Sequence, residues 1–135
     1  MKPQEPRTSL PTETIWRDLE NEFHFLTGSE VIRALGAKSQ NRNHASYLRR
    51  KGELLGVIRL NAYRYPGFQF DGDGAIHPAI KHLVSAMREG GWSDESFILW
   101  LCSPSRAFPD GGRPVDYLDD PNLVQAAVEM MAVDW

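Results

Sequence analysis

From Thr12 to His24, the apolar residues Ile15, Leu19 and Phe23 recur every four positions with Trp16 beside them, the stripe of an amphipathic helix. Thr27-Gly28-Ser29-Glu30 then has the form of a capping box. The Thr27 hydroxyl can accept from the third amide of a helix while Glu30 reaches back, and Leu26 and Val31 occupy the two positions of a hydrophobic staple. This second helix is short, because Gly36 follows Leu35 as a left-handed stop. Ser39 suits the N-cap of a third helix that runs to Lys51 before Gly52, with Ala45 and Leu48 turned inward. The period then changes. Leu55 to Leu60 reads as a strand, Asn61-Ala62 as a tight turn and Tyr63-Arg64-Tyr65 as the returning strand, which Phe68-Gln69-Phe70 extends past a bend at Pro66-Gly67.

Asp71-Gly72-Asp73-Gly74 reads as a flexible joint, and beyond it the helical period returns. Ile80, Leu83, Val84 and Met87 form one face of a helix that Gly90-Gly91 ends. Ser93 with Asp94 and Glu95 starts another through Phe97, Ile98 and Leu101, closed by Pro104. Pro114 and Pro121 each suit a first helical position. They open a short turn through Leu118 and a last helix with Val124, Ala127, Val128 and Met131 on one side. Pro3, Pro6 and Pro11 mark the opening residues as a loose tail. The expected fold is therefore mainly α: a flexible tail over 1–11, a winged helix-turn-helix with a small β-hairpin over 12–72, and a small helical bundle over 73–135.

Composition narrows the function classes without choosing among them. Hydrophobic residues make up 41% and charged residues 24%, the usage of a soluble globular chain. No apolar run reaches the roughly 20 residues of a membrane span, and the first residues carry no apolar leader core, so a cytoplasmic protein without a membrane partner is expected. The single cysteine, Cys102, excludes an internal disulfide and a thiol-rich metal knuckle, and is expected to be a buried small apolar residue.

Charge changes the picture more. Across residues 31–70 stand Arg33, Lys38, Arg42, Arg49, Arg50, Lys51, Arg59 and Arg64 against Glu53 alone, a net of +7, while residues 71–135 carry a net of −7. One half attracts a polyanion and the other repels it. A short helix on the surface fits the major groove of B-DNA, about 12 Å wide. Along the third helix Gln40, Asn41, Arg42, Asn43 and Tyr47 are placed to face outward. Asn and Gln pair with adenine and Arg with guanine, whereas Arg49, Arg50 and Lys51 suit phosphates. Arg59, Asn61 and Arg64 make the hairpin a basic wing. The competing reading takes this middle as a solvated surface of an interaction module, since basic residues in a last helical turn also favour the macrodipole.

Two resemblances add to this. Leu26-Thr27, Glu30-Val31, Leu35-Gly36, the run Leu48-Arg49-Arg50-Lys51-Gly52-Glu53-Leu54 and Tyr63-Arg64-Tyr65-Pro66 resemble the MerR/excisionase type of winged helix-turn-helix, which implies binding of double-stranded operator DNA. Trp100-Leu101, the Pro104 loop, Gly112-Arg113-Pro114-Val115-Asp116-Tyr117-Leu118 and a closing helix with Val124 and Val128 resemble the toxin-binding domain of Xre/MbcA/ParS-type antitoxins. That likeness implies an antitoxin-like transcriptional regulator whose C-terminal helices hold a cognate toxin, such as a RES-domain enzyme, or a second copy of the chain. The candidate partner contacts are Trp100, Arg113, Pro114, Asp116, Met130, Met131 and Trp135. Trp100 and Val128 are also packing candidates, and Arg113 with Asp116 a local ion pair.

Enzyme readings find less. Asp71-Gly72-Asp73-Gly74 after a strand has the Asp-x-Asp form of phosphoryl-transfer enzymes, but the chain lacks the series of strand-helix units that builds their parallel sheet. As an EF-hand loop it fails, with His82 where the bidentate glutamate belongs. His77 and His82 are poorly spaced for one helical face, and neither a phosphate loop nor a dinucleotide fingerprint occurs. No enzyme, metal or cofactor is expected.

Overall fold

The computed structural model describes residues 10–36, 43–105, 108 and 111–132, with side chains between Glu13 and Met130. They fall into two compact units, one within Thr8–His77 and one within Pro78–Trp135. The fold is mainly helical with a small antiparallel sheet of three strands.

The N-terminal unit runs α1 (Leu10–Phe23), β1 (Phe25–Leu26), α2 (Gly28–Ala34), α3 (His44–Lys51), β2 (Val57–Arg59) and β3 (Ala62–Pro66), then a 3-10 turn at Gly67–Gln69. In α1 the buried side chains are Trp16 and Leu19; Ile15, expected in the apolar stripe, is 45% exposed. The stripe is rotated toward Trp16, the larger apolar side chain, which meets Phe25 edge to face at 6.2 Å. The capping box of α2 is present: Glu30 N donates to Thr27 Oγ1 at 3.2 Å, and Thr27 N donates to Glu30 Oε1 at 2.8 Å. Val31 is fully buried and Leu26 packs against the same cluster, as a staple requires. The helix α3 is described from His44, with Asn43 as N-cap, and Ser39, the expected cap, lies outside the described residues. Val31, Ala45, Leu54 and Tyr65 form the core between α2, α3 and β3, with Leu35, Leu48, Phe70 and Ile76 packed around it.

The sheet differs from the sequence expectation in three places. Two residues, Phe25 and Leu26, make an unexpected strand that pairs with β3 through Phe25–Pro66 and Leu26–Tyr65. Too short to have a period, it exists because β3 offers its outer edge. The hairpin turn is Leu60-Asn61, not Asn61-Ala62, with φ of +51° and +63°, and Ile58 lies opposite Tyr63. Both central residues at positive φ give the twist that a two-residue loop needs. Beyond Pro66 the second arm turns into the 3-10 segment and does not continue as a strand. A Cβ on Gly67 would collide with the carbonyl oxygens of Phe23 and His24, and Gly67 N donates to His24 O at 2.8 Å.

Gln69 closes this unit from inside. Fully buried, it accepts from Leu55 N at 2.6 Å and donates through Nε2 to Leu55 O at 2.9 Å and Pro66 O at 3.1 Å. The segment expected as a flexible joint is a closed loop of the same unit. Asp71 Oδ1 accepts from the amides of Asp73 and Ala75, Phe70 bridges Ile76, and His77 N donates to Gln69 O at 2.7 Å. Gly74 stands so near the Ala34 carbonyl that a Cβ would collide with it.

The C-terminal unit holds α4 (Pro78–Glu89), α5 (Asp94–Leu101), a 3-10 turn at Pro114–Tyr117 and α6 (Leu123–Ala132). The predicted face of α4 is present in full, with Ile80, Leu83, Val84 and Met87 all at 0% exposure. Ser93 caps α5, its Oγ accepting from Ser96 N at 3.1 Å. The last helix departs from expectation: it starts at Leu123, two residues after Pro121, and its buried residues are Leu123 and Ala127. Val128 is 41% exposed, so it is a surface position and not part of the core. Asp120 sets this start, its side chain accepting from Asn122 N and its carbonyl from Leu123 N. Cys102 is the half-buried C-cap of α5, not a core residue.

Candidate nucleic-acid interface

Two short elements carry the basic residues of the candidate surface: α3, with Arg49, Arg50 and Lys51, and the β2–β3 hairpin, with Arg59 and Arg64. The helix α3 ends in Arg49-Arg50-Lys51, where cations complement its dipole, and Gly52 at φ 87° turns the chain away. Tyr47 is 49% exposed, and Arg50 and Lys51 are exposed beside it. Arg50 Nε donates to Ser46 O at 3.3 Å, and Lys51 lies 3.7 Å from a Glu53 oxygen and 5.5 Å from the Tyr47 ring centre. Asn43 is exposed at the N-cap. Gln40, Asn41 and Arg42, the other expected base contacts, lie outside the described residues. His44, which no sequence pattern singles out, stacks on Tyr47 at 6.3 Å.

The cations of this surface play different parts. Arg49 is half-buried with its guanidinium 3.9 Å from the centre of the Tyr63 ring, and Tyr63 stacks on Tyr65. It fastens the end of α3 to β3 through a cation–π contact. Arg64 is half-buried on β3, its Nη1 donating to Tyr63 O at 3.1 Å. Arg59, expected as a wing contact, is instead the centre of an ion-pair clamp. It donates to both Glu13 oxygens at 2.8 and 2.9 Å and to Glu20 Oε1 at 2.8 Å, with only 15% of its side chain exposed. Glu13 and Glu20 lie seven residues apart on α1, two helical turns, so both face the hairpin. Hydrogen bonds from Arg59 hold the Glu13 carboxyl below the usual carboxylate range, and those to Glu13 raise Arg59 above its ordinary value. A guanidinium so held is a poor phosphate ligand. That leaves Asn43, Tyr47, Arg50, Lys51, Asn61 and Arg64 as the expected DNA contacts that the surface presents, with Asn61 exposed at the hairpin tip.

The expected partner contacts lie in the C-terminal unit. Trp100 is half-buried and stacks on Phe97 at 5.4 Å, so its ring belongs in part to the core. Pro114 is buried as the start of the 3-10 turn that packs on α5, and Arg113 Nε lies 3.4 Å from Asp116 Oδ2. Met130 is half-buried on α6; the Met131 side chain and Trp135 lie outside the described residues. Phe108 stacks on Tyr117 at 4.6 Å, a pairing hidden by its sequence separation. Among the described residues no cluster of three or more His, Cys, Asp or Glu side chains could hold a metal ion, and no helix is long and apolar enough to cross a membrane.

No protein-family model matches the chain. No curated protein matches it. Among solved structures it is similar to the NMR structure of Rv2175c, with a TM-score of 0.69 and 20% sequence identity over 97% of this chain and 84% of that one. At that identity the likeness is one of fold.

Proposed function

We propose that the N-terminal unit is a winged helix-turn-helix that binds double-stranded DNA, with α3 as the helix presented to the major groove and the β2–β3 hairpin as the wing. The observation that carries this reading is the outer face of α3. Exposed Tyr47, Arg50 and Lys51 lie there, and the Arg49–Tyr63 contact fixes the helix to the hairpin that bears Asn61 and Arg64. The capped α2 and the small core beneath α3 support it as a rigid platform.

The resemblances extend the proposal to an antitoxin-like transcriptional regulator acting in the cytoplasm, whose C-terminal helices hold a cognate toxin or a second copy of the chain. Val128, exposed on α6, is a residue such a partner would cover. Co-purification with the product of the neighbouring reading frame tests this half.

The DNA half is tested by titrating a duplex from the chain's own upstream region at several salt concentrations. Arg50→Ala with Lys51→Ala should weaken binding and lower the salt slope by about 0.9 for each phosphate no longer neutralised. An unchanged slope would leave the basic surface as solvated decoration.

A further inference from the structure

The turn joining β2 to β3 holds Leu60 at φ +51° and Asn61 at +63°. Asn tolerates that left-handed region; Leu is disfavoured there because its Cβ crowds the backbone. Nor does packing compensate Leu60, which is 90% exposed, more than any other large apolar side chain among the described residues. Hairpin stability alone calls for Gly, Asn or Asp at this place. Folding therefore gives no reason for leucine at the tip.

Its surroundings suggest one. Ile58, two residues earlier on β2, is 57% exposed and stands opposite Tyr63, which is 36% exposed and carries the Arg49 guanidinium on its face. Residues 54–70 contain no acidic side chain, and with Arg59 held by Glu13 and Glu20 of α1 the hairpin's available cation is Arg64. An apolar point on an acid-free hairpin, with Asn61 next to it and Arg64 on the returning strand, has the chemistry of the minor groove. Leu and Ile side chains there wedge between base steps, while Asn and Arg meet base edges and phosphates.

We propose that Leu60 is a wedge that enters the DNA minor groove and partly unstacks one base step, bending the duplex. Asn61 lies against the base edges and Arg64 against a flanking phosphate. The proposal rests on the DNA-binding reading and adds to it a source of sequence preference: pyrimidine–purine steps such as TA open most easily, so a site with one at the wing is favoured without any base-specific contact.

The test uses the full chain and an A·T-rich duplex of about three helical turns with a central TA step. The duplex is end-labelled for energy transfer and carries 2-aminopurine beside the step. The native protein should shorten the end-to-end distance by a bend within roughly 20–90° and raise the 2-aminopurine fluorescence. Leu60→Asn keeps a residue suited to the turn, so its melting temperature should hold or rise by about 3 °C. It should lose the bend and the fluorescence rise, with affinity about tenfold weaker. Leu60→Phe should retain both signals. If Leu60→Asn bends the duplex as the native chain does, the wedge is wrong while DNA binding stands. If the native chain binds no duplex even at low salt, the DNA reading falls and the wedge with it. If Leu60→Asn instead turns a dimer into a monomer in sedimentation, the tip serves a second copy and the wedge is overturned.

Discussion

In the C-terminal unit, Ile80, Leu83, Val84 and Met87 of α4, Phe97, Ile98 and Leu101 of α5, and Leu123 and Ala127 of α6 are all at 0% exposure. The N-terminal unit closes over a cluster of Val31, Ala45, Leu54 and Tyr65, with Trp16, Leu19, Leu55 and Val57 also buried, and it buries Gln69 as completely as any of them. Its helices α2 and α3 have seven and eight residues and its strands two to five, and none of these elements buries more than two side chains. Polar side chains supply what apolar area does not: the capping box at α2, Gln69 between Leu55 and Pro66, and Arg59 between α1 and the hairpin. A unit pinned in this way can leave Tyr47, Ile58 and Leu60 exposed, because its shape does not depend on burying them.

The sharpest way to break this comparison is to remove one support from each unit. Leu83→Ala should cost about 3–4 kcal/mol, the lost transfer of the side chain plus the cavity left in a packed interior. Urea unfolding checks it, with hydrogen exchange assigning the loss to α4, α5 and α6. In the N-terminal unit, Gln69→Leu keeps the volume yet strands the Leu55 amide and carbonyl and the Pro66 carbonyl, and should cost about 2–3 kcal/mol. A cost under about 0.5 kcal/mol would mean the unit is held by its apolar cluster and that the polar pin is incidental. Thr27→Ala comes next at about 1 kcal/mol, since it removes the cap while leaving Val31 and Leu26 in place. Its loss should concentrate in exchange at the first amides of α2.

The same contrast decides what the sequence could reveal. Apolar spacing in α4 marks the buried face because one helix packs by one stripe, and Ile80, Leu83, Val84 and Met87 follow from it directly. The capping box at Thr27 and Glu30 is equally legible, being a local hydrogen-bond pattern with fixed spacing. Gln69 is not, because two of its three hydrogen bonds go to Leu55, fourteen residues back, and a lone glutamine among apolar residues reads as a surface position. The hairpin turn differs from expectation by one residue because leucine is the wrong residue for a left-handed turn, which makes Asn61-Ala62 look more natural than Leu60-Asn61. Arg59 reads as a DNA contact because charge alone cannot tell a cation aimed at solvent from one held by Glu13 and Glu20 across the sequence.

The smallest expected effect concerns those carboxylates, and it separates the units by pH. Glu13 is lowered first by its hydrogen bonds from Arg59, and Glu30 first by the Thr27 backbone amide and then by its side chain. A carboxyl whose folded value is depressed adds stability that is present above its unfolded value, near pH 4.3, and is lost as pH falls through the lower folded value. The N-terminal unit should therefore loosen from just above pH 4 downward, while the apolar core of the C-terminal unit has no such dependence through these groups. Both carboxylates sit at the surface, so salt screens the effect and it stays below that of Thr27→Ala. Glu30→Gln preserves the cap hydrogen bond without the titration, and Glu13→Gln removes one arm of the clamp. With both in place, the fall in urea midpoint between pH 7 and pH 3 should be smaller than in the native chain, and amides of β2 and β3 should keep more of their exchange protection in acid. If the double variant loses as much midpoint as the native chain, acid acts elsewhere, and the clamp at Arg59 positions the hairpin without contributing to its pH dependence.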